Sequence, residues 1–210
     1  MLRTTVRALA NRVRLVEHQV RSSVLRLQNR NLRPAFAAQS HLTIPERVTL
    51  YRLAQSQKVI CEIGSYVGAS ACCFGAAVGQ KGSGKILCID TWQNDAMSEG
   101  NRDTFAEFTA NTAAYRRYIV PIRGWSTKVI DEVRSHCDYL DVLFIDGDHS
   151  YDGVKADWDH YKAFLRPGST VVFHDCGWAE GVQRVIEEEA KPRVGSFNSL
   201  PNMWWGVLTR

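Results

Sequence analysis

A chain of 210 residues, 45% of them hydrophobic, is long enough to bury one sizeable core. The net charge of +4 is uneven: residues 1–40 hold eight arginines and one acid, Glu17, whereas residues 41–210 hold 18 basic and 21 acidic residues. The body is therefore mildly acidic, which argues against nucleic acid as its partner, and any such binding would depend on the basic segment alone.

The six cysteines indicate a reducing compartment. Cys61 and Cys88 lie in apolar runs and Cys72 and Cys73 in a small-residue run, with no CxxC pair. Such cysteines usually pack as small hydrophobes, so we expect a cytoplasmic protein. No signal peptide is visible, and the uncharged stretch 63–80 contains four glycines. It indicates a glycine turn before a buried helix and no transmembrane segment.

Residues 1–40 form a basic arm with helical periodicity. We predict a helix that packs on the body or, through homo-oligomer formation, on a second subunit. The alternatives are a membrane-surface or nucleic-acid-binding arm, or a presequence. Residues 33–40 are interpreted as a linker to a domain at 41–210. The apolar stripe of the arm comprises Leu2, Val6, Leu9, Val13, Val16, Val20, Val24 and Leu27.

The body alternates strand and helix patterns. Predicted strands cover Val59–Ile63, Lys85–Asp90, Ile119–Arg123, Asp141–Asp146, Thr170–His174 and Met203–Leu208. Predicted helices begin at the Thr43 capping box and around Ala69 or Ser70, and cover about 103–118, 126–135, 151–164 and 181–190. This alternation predicts an α/β fold with a doubly wound, mostly parallel sheet and helices on both faces.

Ligands of such folds gather at the carboxyl ends of the strands. The first strand runs into Gly64-x-x-x-Gly68 and then a helix, whose unpaired N–H groups can bind an anion. Tyr66 stands where a dinucleotide fingerprint has its middle glycine, which argues against NAD or FAD. Asp90 ends the second strand and can accept both hydroxyls of a ribose. Together these features predict a nucleoside ligand with an anionic tail.

The motifs EIGSYVGAS, IDTW, IRGWS, FIDGDHSYDGVKADW and FHD follow one another in order. In this combination the chain resembles class I S-adenosylmethionine-dependent methyltransferases, in the branch of macrocin-type O-methyltransferases and cephalosporin-hydroxylase-like proteins. The resemblance covers about residues 43–210 and implies a Rossmann-like, seven-stranded sheet whose last strand is antiparallel.

The resemblance implies S-adenosylmethionine as cofactor and assigns residues to each part of it. Glu62, Gly64, Ser65, Gly68 and Ser70 would hold the methionine end. Asp90 would bind the ribose, Trp92 and Ser126 would border the adenine, and Asp146 would lie near the sulfonium. Trp125 is interpreted as a core residue.

A divalent metal site is predicted where the fourth and fifth strands end side by side. Asp146, His174 and Asp175 can converge there on one cation, and the resemblance places metal ligands at these positions. Magnesium prefers oxygen ligands, so three alternatives are open for His174. It would ligate manganese or iron, contact a ligand without touching the metal, or point away from the site. The two acids could instead be ordinary helix caps.

The resemblance implies Asp148 as the general base, with His149 as the second candidate. The predicted reaction is methyl transfer to a hydroxyl group of a small molecule such as a sugar or polyketide. Loop 93–102 and the segment after Cys176, with Trp178 and Glu180, would shape the acceptor pocket. The alternatives are a metal-dependent hydroxylase-like enzyme and a non-catalytic protein that binds nucleic acid or membranes through the arm.

Overall fold

The computed structural model describes residues 19–93, 100 and 102–209 of the chain. Residues 1–18 of the predicted arm and most of the predicted pocket loop 93–102 lie outside the described residues. No helix within the described ranges has the length and apolar character needed to cross a membrane.

Seven strands form a single sheet in the order β3-β2-β1-β4-β5-β7-β6. Strands β1 to β5 pair in parallel, and β7 is antiparallel to both of its neighbours, so the predicted sheet is confirmed. The prediction from hydrophobic pattern missed β6, because this edge strand is mostly exposed and has no apolar run. The strands are β1 Val59–Ile63, β2 Lys85–Asp90, β3 Ile119–Arg123, β4 Val142–Ile145, β5 Thr170–His174, β6 Val194–Leu200 and β7 Met203–Leu208.

Eight α-helices within the described residues cover the two faces of this sheet. The Thr43 capping box is confirmed at the start of α3, where the Glu46 side chain accepts from the Thr43 amide. The helices are α1 (19–28), α2 Arg33–Ala37, α3 Ile44–Ala54, α4 Ala69–Lys81, α5 Phe105–Thr112, α6 Ile130–His136, α7 Tyr151–Tyr161 and α8 Glu180–Val185.

The core is divided by the sheet into two hydrophobic layers. Phe74 of α4 packs edge-on against Phe144 of β4 in one layer, and Trp158 of α7 packs against Phe173 of β5 in the other. All six cysteines are free, and those in β1, α4 and β2 are fully buried, as expected for small core residues.

The segment predicted as a linker is packed on the body. Leu32 and Ala35 are buried against the α3–α4 layer. The Arg47 guanidinium of α3 donates to the carbonyl oxygens of Ala38, at 3.0 Å, and Leu42, at 2.9 Å. Such hydrogen bonds fix residues 35–42 to the body. The division of the chain at residue 40 into arm and domain stays a prediction.

The carboxyl ends of β1 and β4 approach each other closely at Gly64. Its φ of +87° lies in the left-handed region, and a Cβ at this position would lie 2.1 Å from the Asp146 carbonyl oxygen. Only glycine therefore allows the chain to leave β1 beside β4.

We expect Gly64→Ala to destabilise the fold more than Gly82→Ala, which serves as a matched control. Gly82 also has a positive φ, but a Cβ there meets nothing within 4 Å. The control should lose ~1–2 kcal/mol of unfolding free energy from the left-handed backbone alone. Gly64→Ala should lose a further ~1–3 kcal/mol from the clash. Urea unfolding measures both, and equal losses would contradict the close approach.

Candidate active site

A cavity of about 800 Å³ opens at the carboxyl edge of the sheet. Its walls come from the turns after β1, β2, β4 and β5, from α7, and from residues 39–42 ahead of α3. This is the place where α/β sheets bind ligands, and the volume is that of a small-molecule site.

The glycine turn and the start of α4 form one wall of the cavity. Gly64, Ser65 and Ser70 line it, and the buried Ser65 hydroxyl has no hydrogen-bond partner among the described residues. Gly68 caps α4 with a φ of +87° but does not line the cavity. Its missing side chain makes room for Thr112, whose Cγ2 would lie 2.7 Å from a Cβ.

Glu62 lies fully buried in β1 and is not among the cavity-lining residues. Ser65, Ser70 and Cys88 are close to its carboxyl group, yet no described residue is aligned to hydrogen-bond with it. Burial raises the pKa of Glu62 from its usual 4.5 to about 7, although the nearby hydroxyls partly oppose this shift. The charged form of this carboxyl group is therefore destabilised by its surroundings, close to the cavity.

Asp90 lines the cavity at the end of β2. Its Oδ2 accepts from the Tyr66 amide at 2.7 Å and its Oδ1 from the Trp92 amide at 2.6 Å. These bonds fix the orientation of the carboxylate at the edge of the cavity.

The placements of Trp92 and Trp125 are the reverse of those expected. Trp92 is fully buried between Phe105 and Phe108, and its Nε1 donates to the Tyr66 carbonyl oxygen, so its indole does not line the cavity. Trp125, which we interpreted as a core residue, is 58% exposed and does line it.

Ser126 lines the cavity beside Trp125 and leads to an acid that sequence analysis missed. Its hydroxyl donates to Oδ1 of Asp157 in α7, which is only 3% exposed and also lines the cavity. Burial raises the pKa of Asp157 to about 6, despite the hydrogen bond from Ser126. The motif KADW contains this acid, but its helical position gave no sign that it faces a ligand site.

His174, at the end of β5, lines the cavity and contacts the acids at the ends of β4 and β5. Its Nδ1 is 3.0 Å from Oδ1 of Asp146, and its Nε2 is 3.7 Å from Oε2 of Glu46. Burial alone lowers its pKa, but the Asp146 carboxylate and hydrogen bonds to Asp146, Asp175 and Glu46 raise it to about 12. With a proton on both ring nitrogens, His174 is a counter-ion to these carboxylates.

His149 replaces His174 in the group of side chains that could hold a cation. Ligand atoms of Asp146, His149 and Asp175 all lie within 4.8 Å of one another. The His149 Nε2 is 2.8 Å from Oδ2 of Asp175, and this contact raises the pKa of His149. The Trp178 ring lies 4.9 Å from the His149 ring at an angle of 55°, and its Nε1 donates to Oδ1 of Asp175.

Asp148 lines the same end of the cavity, and its Oδ1 accepts from the Ser150 amide at 2.6 Å. Ser150 itself caps α7, because its hydroxyl accepts from the Gly153 amide. Asp148 is therefore not needed as the cap of this helix, and its other oxygen, Oδ2, accepts from no described residue.

A family described as "Methyltransferase domain" matches residues 61–176, which is more than half of the chain. The chain therefore belongs to this family of methyltransferase domains. An uncharacterized protein, y4gI, from Sinorhizobium fredii is 31% identical over 118 residues, or 55% of this chain. The matched stretch spans only 13% of that relative's length.

Solved structures of methyltransferases share the fold. The O-methyltransferase NovP is 14% identical, with a TM-score of 0.63 over 82% of this chain and 83% of that one. TomG from Streptomyces achromogenes, an O-methyltransferase involved in tomaymycin synthesis solved with SAM, is 17% identical, with a TM-score of 0.64 over 80% and 82%. A Bacillus cereus O-methyltransferase in complex with SAH is 16% identical, with a TM-score of 0.64 over 90% and 91%. The fold is therefore that of class I S-adenosylmethionine-dependent methyltransferases.

We expect Glu62→Gln to change how stability depends on pH. A carboxyl whose pKa is raised on folding stabilises the fold below its unfolded value of 4.5, and this contribution is lost as pH rises through about 7. The unfolding free energy of Glu62→Gln minus that of wild type should rise by up to ~3 kcal/mol from pH 5 to pH 8. Urea unfolding at the two pH values measures the gain.

The exposed Glu132 of α6 offers a control for the same substitution. Glu132→Gln should leave the difference between pH 5 and pH 8 as it is in wild type. If Glu62→Gln showed the same difference between pH 5 and pH 8 as this control, burial would not raise the pKa of Glu62.

Proposed function

We propose that the protein transfers a methyl group from S-adenosylmethionine to a hydroxyl group of a small molecule. The observation that carries this proposal is the fixed carboxylate of Asp90, which faces the same cavity as the Gly64 turn and the acids after β4 and β5. One cavity thus offers a hydrogen-bond acceptor for the ribose hydroxyls, a site for the amino-acid end of the cofactor, and a group of acids where methyl transfer would occur.

The lining residues fit the cofactor's parts. The Asp90 carboxylate would accept the ribose hydroxyls, and the unpartnered Ser65 hydroxyl and the α4 amino terminus would bind the methionine carboxylate. Ser70 lines the same wall, whereas Glu62 and Gly68 would act from outside the cavity by shaping it. Asp146 would lie near the sulfonium.

Methyl transfer requires in-line attack, so the chain mainly has to align acceptor and cofactor and remove a proton. Asp148 suits the role of base, because one of its oxygens is fixed by the Ser150 amide while Oδ2 is left for the acceptor hydroxyl. His149 is already bound to Asp175 through Nε2, which makes it the weaker candidate.

We also propose a divalent metal held by Asp146, His149 and Asp175, whose ligand atoms are close enough for one ion. When bound, the metal would lower the pKa of an acceptor hydroxyl. Two carboxylates suit magnesium, and the imidazole adds a preference for manganese or iron. His174 would balance the charge of these acids.

The acceptor that we propose is a hydroxylated natural product, by analogy with TomG and its part in tomaymycin synthesis. Residues 39–42 and Trp178 line the cavity and would contact this acceptor. Methyl transfer from labelled S-adenosylmethionine to a panel of hydroxylated compounds tests the proposal. Absence of S-adenosylhomocysteine binding by calorimetry would overturn it.

Replacing Asp146 and replacing Asp148, the two acids after β4, should impair methyl transfer in different ways. Asp148→Asn should retain metal and cofactor but lose ~10² to 10⁴-fold in turnover, since a general base is missing. Its remaining rate should rise with pH, because hydroxide partly replaces the base. Asp146→Asn should lower metal affinity, and added metal should restore part of its turnover. Steady-state rates and metal content of both variants test this, and normal turnover in Asp148→Asn would exclude it as the base.

We propose that the basic arm mediates homo-oligomer formation. Leu25 of α1 packs against the body, whereas Val20, Val24 and Leu27 on another face of the helix are exposed. These three residues continue the predicted apolar stripe and need a partner surface.

We expect Val24→Glu to reduce the assembly size seen by sedimentation, because it places a charge in the stripe. Gln19→Glu introduces the same charge at an exposed position of α1, about 100° around the helix from Val20 and off the stripe, and should leave the assembly unchanged. An identical mass for wild type and both variants would exclude this face of α1 as a subunit contact.

A further inference from the structure

A second pocket lies on the arm, apart from the cavity at the carboxyl edge of the sheet. Its volume is about 600 Å³, and Arg26, Arg30, Arg33, Phe36 and Ala37 line it. None of these five residues lines the first cavity. Three of the five carry guanidinium groups, and methyl transfer gives them no role.

The positive charge of this pocket is not neutralised by the described part of the chain. Residues 18–45 contain no acid. Arg26, Arg30 and Arg33 are exposed, and none of them forms an ion pair with a described residue. Burial lowers the pKa of the Arg47 guanidinium in α3, and the charge of Arg26 adds to this shift. A fourth cation therefore strengthens the positive potential around the pocket.

The backbone that carries these arginines is fixed on the body. Leu32 is fully buried in the α3–α4 layer, and the Tyr115 hydroxyl donates to the Asn31 carbonyl oxygen at 3.3 Å. Arg26 lies over the Phe36 ring, with 5.2 Å between its Cζ and the ring centroid. The arginines are thus held around one pocket before a ligand arrives, which reduces the entropic cost of binding.

A phosphate group is the anion that best fits three guanidinium groups. Each guanidinium has a planar set of donors that can bind two phosphate oxygens at once. A phosphate monoester carries a charge of about −1.5 to −2 at pH 7 and three strong acceptor oxygens, so it can bind several arginines together. The half-buried Phe36 adds an apolar wall, and the volume has room for an organic group attached to the phosphate.

We propose that the pocket formed by Arg26, Arg30 and Arg33 binds a phosphate group, which comes from a soluble phosphate ester or from a lipid head group. The phosphate is the chemistry that the two sources share. The site uses no residue of the cavity, so the proposal stands or falls independently of methyl transfer.

Two binding measurements on the full chain test the proposal and separate the two sources. Calorimetric titration with inorganic pyrophosphate tests the soluble source. Co-sedimentation with phosphatidylglycerol vesicles, with zwitterionic phosphatidylcholine vesicles as the reference, tests the lipid source. The wild type should bind pyrophosphate or prefer the phosphatidylglycerol vesicles. Arg30→Ala and Arg33→Ala should each weaken this binding by ~10-fold or more, because each removes charged hydrogen bonds to the phosphate.

Arg21→Ala is the matched control, because Arg21 is an exposed arginine of α1 that does not line the pocket. It removes the same charge from the arm and should weaken binding by less than ~3-fold, since salt screens a charge outside the site. Thermal unfolding checks that all three variants are folded. Equal affinities of the three variants would indicate general attraction of anions to the arm, or binding elsewhere, and would overturn the proposal. Absence of wild-type binding both to pyrophosphate and to phosphatidylglycerol would also overturn it.

Discussion

The buried cation at His174 holds the functional edge of the sheet together. Asp146, Asp175 and Glu46 have carboxylate oxygens 3.0, 3.4 and 3.7 Å from its ring nitrogens. Three carboxylates this close would repel one another and raise their own pKa values, and removing the cation would leave them buried without compensation. Since Glu46 also belongs to the capping box of α3, the same interaction connects the start of that helix to the ends of β4 and β5.

This arrangement separates two kinds of acid around one cavity. Asp175 is stabilised as a carboxylate, because hydrogen bonds with His149 and His174 lower its pKa in spite of burial. Glu62 and Asp157 lack such cations, and burial raises their pKa values to about 7 and about 6. Acids held in the charged form suit a cation or a sulfonium. Acids whose charged form is destabilised by burial can be stabilised by a ligand that donates a hydrogen bond to them.

The residue types of the site followed from the sequence, but their orientations did not. Asp90, Asp146, Asp148 and Asp175 line the cavity as expected, because the ends of parallel strands must meet at one edge of the sheet. The placements of Trp92 and Trp125, and of His149 and His174, differed from those expected. Trp92, with a φ of +51°, packs in a pocket formed by α5 and away from the cavity. No sequence pattern predicts this backbone conformation.

The sequence by itself determined the alternation of strands and helices, the glycine turn and the positions of acids at strand ends, since these depend on neighbouring residues and on apolar periodicity. Only the tertiary structure decided that residues 35–42 pack on the body, that His149 joins the acids with which His174 is paired, and that Asp157 faces the cavity. Each of these outcomes depends on contacts between segments far apart in the chain. Such contacts form only when the sheet brings the segments together, and local sequence patterns carry no record of them.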